Sequence, residues 1–486
     1  MRRKLMAATM LAMTLALGGC GTTGESPVSI TVTENDNGEE ASGTEASEET
    51  AEEEPESEET TAETENSNKD GSPKKMFASR ATIEETVMVD QDDVKIIANS
   101  IEYDDYRATL NLTIENNSQQ NLSFHCGTLG FSMNTINGCV VSDGYLNSEV
   151  SAGMKAKEKV YFDADELMSL GIYDISEIGM AIYVNNEDSD TILQTDLVTV
   201  PTSIYDQCDF AEDTIKKAID DGVWENDLSM DLTYVNTDFA CAQEGLNISA
   251  VVMAKNESGD SVICLDVENT SDEQLALSTK HVEINGVTVL SSTWNTFYMP
   301  PHKRILETFR LDTLIDEEFR SIVNQDEIGT FKFDLEKIDI DTYDTISSSE
   351  VSIVFDEKIG EVSVGGTPIY EANGITVYPM PVTIDDYGMD YYVPLFVINE
   401  SGKTITAEVD ERTFAMGGYM VDCLNFSKNI KDGASTVLNI EISVDKAKEV
   451  EINDVSDFKN ATCKLEIRDS EKYSMIDNPS VEIQFQ

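Results

Sequence analysis

The strongest constraint on what this chain can fold into is a strand ending that occurs three times. Leu112-Thr113-Ile114-Glu115-Asn116-Asn117-Ser118, Leu265-Asp266-Val267-Glu268-Asn269-Thr270-Ser271 and Leu395-Phe396-Val397-Ile398-Asn399-Glu400-Ser401 each run from a strand into an Asn-x-Ser turn. Further on come Asn137-Gly138, Asn285-Gly286 and Gly417-Gly418, dipeptides suited to the positive φ of tight hairpins. Fifteen residues after the second member of each pair stands another turn residue, Gly153, Pro301 or Gly433. A strand is expected next, at 159–162, 307–311 and 438–444, then a polar stretch of helical propensity at 165–170, 312–322 and 445–450. Two closing strands follow in each copy, at 179–184 and 197–200, at 330–335 and 351–355, and at 462–467 and 481–485. Constant order and near-constant spacing imply three copies of one module. Cys139, Val287 and about Tyr419 then occupy corresponding positions.

Apolar and polar residues alternate, as in Arg107-Ala108-Thr109-Leu110-Asn111-Leu112, and period two means half-buried strands. With opening strands near 94–97, 246–252 and 375–378, each copy holds about seven strands in roughly a hundred residues, the profile of an immunoglobulin-like sandwich. On these residues, including the turns at Asn116, Asn269 and Asn399, the chain resembles the Ig-like domains of unassigned function found in surface lipoproteins of Gram-positive bacteria. The resemblance implies an all-β fold of three tandem immunoglobulin-like β-sandwich domains, and it implies no catalytic residues. The paired-Cys core with Trp of antibody domains is missing.

The N-terminus pairs Arg2, Arg3 and Lys4 with an apolar run from Leu5 to Leu17 and then Gly18-Gly19-Cys20. That is the pattern of a secretory signal peptide. Small residues before a cysteine resemble the lipobox of bacterial lipoproteins, which implies cleavage before Cys20 and its lipidation. Residues 34–66 carry fifteen Asp or Glu, no Lys or Arg, and no apolar residue larger than Ala. Nothing there offsets the entropy of ordering, so 20–79 reads as a disordered acidic tether. The whole chain has a formal charge of −60. A phosphate-binding protein needs clustered Lys and Arg, so nucleic acid is excluded as a partner; the acidity favours solubility and recruits cations or basic partners.

With residue 20 lipidated, seven cysteines remain, at 126, 139, 208, 241, 264, 423 and 463. None forms a Cys-x-x-Cys pair or a zinc module. Export permits disulfides, with 126/139, 208/241 and 423/463 as the nearest pairings. Residues 202–244 read as an insertion with one short helix: Ala211, Ile215, Ala218 and Ile219 share a face, Asp209 caps it with Glu212 three residues on, and Gly222 ends it. The expected boundaries are 1–19 for the signal, 80–201, 245–356 and 373–486 for the sandwiches, and 357–372 for a Gly-rich linker.

No catalytic constellation emerges. His125, His281 and His302 fall in separate strand or turn contexts, and a catalytic dyad needs hydrogen-bond reach. Gly259-Asp260-Ser261-Val262, which resembles the nucleophile block of one esterase family, sits in a hairpin turn, and Ser401-Gly402-Lys403-Thr404 coincides with the repeat's own turn. Asp339, Asp341 and Asp344, and separately Asn185, Glu187, Asp188 and Asp190, place oxygen ligands on short loops without EF-hand spacing, and no metal or cofactor is assigned. Trp294, Phe297 and Tyr298 before Pro300-Pro301 are the candidate ligand-binding residues: exposed, they stack on a sugar or anchor a peptide; buried, they are core, which alternation favours. Tyr387, Tyr391 and Tyr392 pose the same choice. The expectation is a lipid-anchored, extracytoplasmic, non-enzymatic protein that binds or scaffolds at the cell envelope, with envelope proteins or glycans as partners. The alternatives are an envelope hydrolase or enzyme accessory with an inter-domain site, and a passive spacer.

Overall fold

Ala108, Leu110, Leu112 and Ile114 of one strand are buried, while Thr109, Asn111, Thr113 and Glu115 between them face outward. That alternation recurs through an all-β body whose sheets are almost wholly antiparallel. The computed structural model describes residues 75–485 apart from 128–132, 240, 244, 341 and 386, and Lys74–Gln486 forms one compact unit. The expected signal peptide, Cys20 and most of the tether lie outside the described residues. The tether's expected end at 79 is corrected: Phe77 is fully buried and its N–H donates to Tyr173 O, so the folded body includes it.

The first module runs β1 (Thr86–Gln91), β2 (Val94–Tyr103), β3 (Arg107–Asn116), β4 (Leu122–Cys126), β5 (Asn134–Ile136), β6 (Cys139–Val141), β7 (Leu146–Val150), β8 (Lys155–Asp163), α1 (Ala164–Ser169), β9 (Glu177–Met180), β10 (Tyr183–Asn186), β11 (Thr191–Gln194) and β12 (Val198–Pro201). The insertion supplies α2 (Thr214–Asp220) and α3 (Val223–Asn226). The second module follows with β13 (Asp231–Asn236), β14 (Cys241–Gln243), β15 (Leu246–Lys255), β16 (Ser261–Asn269), β17 (Leu275–Ile284), β18 (Val287–Met299), β19 (Arg304–Arg310), α4 (Leu311–Leu314), β20 (Thr330–Ile338) and β21 (Thr345–Val354). The third has β22 (Tyr370–Ala372), β23 (Ile375–Pro379), β24 (Thr383–Ile384), β25 (Asp390–Asn399), β26 (Ile405–Val409), β27 (Ala415–Met416), β28 (Tyr419–Met420), β29 (Leu424–Asn425), β30 (Lys428–Ile430), β31 (Ser435–Ser443), α5 (Val444–Glu449), β32 (Asn460–Asp469), β33 (Met475–Asp477) and β34 (Ser480–Gln484).

In each module one sheet contains the series β2-β3-β8, β15-β16-β19 or β23-β25-β31. The facing sheet pairs the strand after the Asn-x-Ser turn with its hairpin partner on one side and with the strand after the helix on the other, as in β21-β20-β17-β18. This is the two-sheet arrangement of an immunoglobulin-like sandwich. Sheets also cross from module to module. β6 pairs in parallel with β19 through Cys139 and Arg304, and β18 pairs in parallel with β31 through Val287 and Ser435. Apolar packing follows the same joints. Ala250, Val252, Ala254 and Cys264 of the second module join the first module's core, and Phe396 and Val437 of the third join the second's.

The insertion helix starts later than expected. Asp213, not Asp209, is the N-cap, its Oδ1 accepting from Lys216 N at 2.9 Å. Asp209 instead accepts from Ala211 N in a turn where Phe210 packs on Tyr205. Gly222 ends α2 as expected, but its positive φ also starts α3, whose Trp224 is buried and donates to Ser169 O. The second module's helical stretch is shorter than expected, a single turn followed by bends that bury Ile315, Phe319 and Val323. All seven described cysteines are free thiols, so none of the three suggested disulfides is formed.

Candidate binding surface

Three side chains explain why the repeat keeps its turn. Asn116, Asn269 and Asn399 are completely buried. Nδ2 of Asn269 donates to Glu273 O, Met299 O and Pro300 O, and its Oδ1 accepts from the N–H and Oγ of Ser271. Asn399 does the same with Lys403, Ile430 and Lys431 and with Ser401, and Asn116 with Gln120, Val150 and Ser118. Ser401-Gly402-Lys403-Thr404 is therefore one of these turns. A second clamp holds the hairpin in the first two modules: Oδ1 of Asn137 and of Asn285, both residues with positive φ, accepts from two successive backbone N–H groups at the start of the neighbouring strand.

Those hairpins set up the joints. Ile136 faces Cys139, Ile284 faces Val287 and Met416 faces Tyr419 across equivalent hairpins, so the three corresponding positions are confirmed by register. At the first joint Arg304 N donates to Gly138 O, and its guanidinium reaches Asp266 at 2.6 Å, Asp213 at 3.1 Å and Glu268 at 3.1 Å. Burial pushes Asp266 up to about 7 against the pull of Arg304. Lys303 lies 3.5 Å from Glu177. At the second joint Ser435 Oγ donates to Gly286 O and Thr436 Oγ1 to Thr288 O. Lys431 pairs with Asp334, which also bonds His281, and Lys428 pairs with Glu318.

Tyr419 has no such cover. It is 66% exposed where Cys139 and Val287 are buried, and Met420, Leu424 and Phe426 beside it in the chain are exposed too. Three contacts gather this end of the third module. Val444 N donates to Met389 O, Lys446 lies 3.5 Å from Asp422, and Asp390 faces Ser443. The turn between β24 and β25, the segment from β28 to β30 and the start of α5 therefore converge. Tyr387, 84% exposed, tips the turn, and Asp385 Oδ1 holds it by accepting from Met389 N and Asp390 N. Carboxylates surround the apolar groups. Burial raises Cys423 to about 12, helped by Glu411 and Asp422, and raises Glu441, helped by Asp390 and Asp385. An apolar centre with an anionic rim suits a partner that is apolar and basic.

The expected ligand-binding trio is placed elsewhere. Phe297 and Tyr298 are 1% and 2% exposed, so neither offers a face to a ligand, which corrects that assignment. Trp294, half-buried, stacks on Phe309 and donates Nε1–H to Thr308 O. Phe297 belongs to the second module's core, and Tyr298 packs with Ala276 and Ile338 in a separate small cluster. Tyr391 is buried, Tyr392 half-buried and Tyr387 open. His281 pairs with Asp334 and His302 with Asp272, while His125 lies near Tyr183. Ser261 is buried in β16. In the acidic loops Asn186 and Asp339 accept from backbone N–H groups of their own turns. Among the described residues no three His, Cys, Asp or Glu side chains are grouped to hold a metal.

The exposed set at 419–426 escaped notice in the sequence, although one signal was present. Position 419 corresponds to Cys139 and Val287, whose apolar side chains serve joints. No family model matches the chain, and no curated protein matches it. Among solved structures, one concerned with host-cell surface retention of a 1.5-MDa bacterial ice-binding adhesin is 10% identical, with 78% of this chain and 90% of that chain covered and a TM-score of 0.13. The Salmonella enterica SafA pilin with its SafB chaperone is 10% identical over 46% of this chain and 90% of that one, with a TM-score of 0.14. Amycolatopsis orientalis exo-chitosanase CsxA is 6% identical over 83% and 78%, with a TM-score of 0.17. Similarity at these TM-scores carries no functional weight.

Proposed function

We propose that this protein is a non-enzymatic binding or scaffolding protein of the cell envelope, anchored by lipid at Cys20 on the extracytoplasmic membrane face. Its partner surface is the exposed end of the third module around Tyr387, Tyr419, Leu424 and Phe426, and envelope proteins or glycans are its ligands. One observation supports this above others: Tyr419 stands exposed where its counterparts Cys139 and Val287 are buried at joints, and Met420, Leu424 and Phe426 beside it in the chain are exposed too. Contiguous exposed apolar side chains rimmed by polar groups mark interaction sites. The shared sheets hold that surface on one firm body.

The test is retention of the full chain on isolated cell envelopes, in a Cys20→Ala background so that lipid makes no contribution. Tyr387→Ala with Phe426→Ala is expected to lower retention about tenfold, the loss of two aromatic anchors. Unchanged retention rejects the surface. Labelling with a fatty acid tests the anchor separately: label that persists in Cys20→Ala rejects it.

A further inference from the structure

The joint between modules is used twice and leaves one unmatched half at each end. On one side stands the first residue after the hairpin turn at 137–138, 285–286 or 417–418: Cys139, Val287 or Tyr419. On the other stands the residue opposite the position before the buried asparagine: Arg304 facing Glu268, Ser435 facing Ile398, or Lys155 facing Glu115. Cys139 takes Arg304 and Val287 takes Ser435. Tyr419 and Lys155 are left over.

We infer that Tyr419 of one copy of this chain pairs with Lys155 of a second copy, repeating the internal joint head to tail. The inference rests on the third-module end being a binding surface, and it names the partner for the β28 part of it.

Three observations carry it. The first is an open edge. β8 is the last strand of its sheet. Asn116 N donates to Met154 O, as Asn269 N does to Lys303 O, so the next N–H, that of Lys155, turns outward as that of Arg304 does toward Gly138 O. The second is charge. Each internal joint sets carboxylates of the earlier module against cations of the later one: Glu177 with Lys303, then Asp334 and Glu318 with Lys431 and Lys428. Continued once more, the pattern needs cations on the first module and carboxylates on the third. β8 presents Lys155, Lys157 and Lys159 on one outward row, although the chain as a whole carries −60. In the third module Asp422, which Lys446 approaches at 3.5 Å, and Asp454 and Asp457, on the turn leading into β32, the strand that pairs with β27, are all exposed. The third is the apolar content of β28 itself.

Lysines on an edge strand also guard it against pairing with a like edge. Here they select an acidic partner, which is a heterologous contact that makes open chains or rings instead of a two-fold dimer. The face beside β8 carries Thr109, Asn111 and Thr113 in place of the apolar groups of the internal joints. The contact is accordingly weaker than those joints, with a Kd on the order of 10–100 µM, as for small transient interfaces.

Sedimentation velocity of the full chain carrying Cys20→Ala decides the matter. Association beyond a dimer is expected as concentration rises through that range. Lys157→Glu with Lys159→Glu closes one half of the joint, and Tyr419→Asp with Met420→Asp closes the other; each variant alone should stay monomeric, and their mixture should stop at a one-to-one pair. Should the aspartates unsettle the hairpin, seen as a lowered Tm, serine at both positions replaces them. A monomeric parent chain, a variant that still associates as the parent does, or two variants that fail to complement overturns the inference. Envelope retention by Tyr387 and Phe426 is read in a separate assay, so either idea can fail alone.

Discussion

Asn269 illustrates how much one side chain can fix. It is buried without exposure and makes five hydrogen bonds, three of them donated to the carbonyls of Glu273, Met299 and Pro300. Asn269→Ala removes all five of these bonds from a buried site, and leaving buried polar groups unmet costs about 1–3 kcal/mol for each group that water cannot reach. A loss of at least ~2 kcal/mol in denaturant unfolding is expected, and a loss under ~0.5 kcal/mol would show that the turn holds itself. The Asn-x-Ser turn was legible in the sequence, but its staple was not, because the acceptors at 299 and 300 lie thirty residues on. Glu307 went unnoticed for a related reason. It lies inside a strand that reads as alternating, yet it is fully buried, and its carboxylate accepts from Asn295 and Thr279. Burial pushes it from its ordinary 4.5 up to about 7. A raised carboxyl binds its proton more tightly in the folded state, so its contribution is whole below about 4.5 and falls as pH rises toward 7. Each unit corresponds to about 1.4 kcal/mol. Glu307→Gln should therefore gain stability over the parent at pH 8 and lose that advantage at pH 4.5; equal pH profiles for the two chains would remove Glu307 from the account.

Strands were foreseeable from period two, whereas the pairing of strands across modules was not. Val287-Thr288-Val289 and Tyr419-Met420 are similar as apolar patterns, but the first is buried against β31 and the second stands open. Only a partner strand far along the chain makes the difference. The helix in the insertion was visible from Ile215, Ala218 and Ile219, while its cap moved to Asp213, the acid that also meets Arg304. That second duty links helix, strand and joint. Arg304→Ala would leave Asp266 buried without its cation, and removing one partner of a buried pair costs about 3–5 kcal/mol. Asp266 is already raised to about 7 by burial, so without Arg304 it takes up a proton more readily, and the variant should be most deficient above neutrality and less so near pH 5. Adding Asp266→Asn should restore much of the loss at pH 8. A deficit that ignores both pH and the second substitution would mean that Arg304 acts through its other contacts, with Asp213, Ser249 and Glu268, and not through Asp266.

At the scale of the whole body, the expectation of three modules meets a structure in which their sheets and cores are continuous. Ordinary inter-domain contacts are small and polar, and relative motion is their default. Here the second module lends Ala250, Val252 and Ala254 to the first core and takes Phe396 and Val437 into its own. A module that lost its fold would expose its neighbour's interior, so the modules stabilise one another as adjacent repeats do. The three should consequently unfold in one transition, with the calorimetric enthalpy close to the van't Hoff value. Phe396 is the place to break this, since it is 1% exposed and lies outside its own module's core. Phe396→Asp puts a carboxylate into the second joint while leaving the interior of the third sandwich intact. Scanning calorimetry should then show two peaks, the third module melting apart from the other two. If the substituted chain still melts in a single peak at a lower Tm, the coupling runs through the paired strands β18 and β31 and not through the apolar seam.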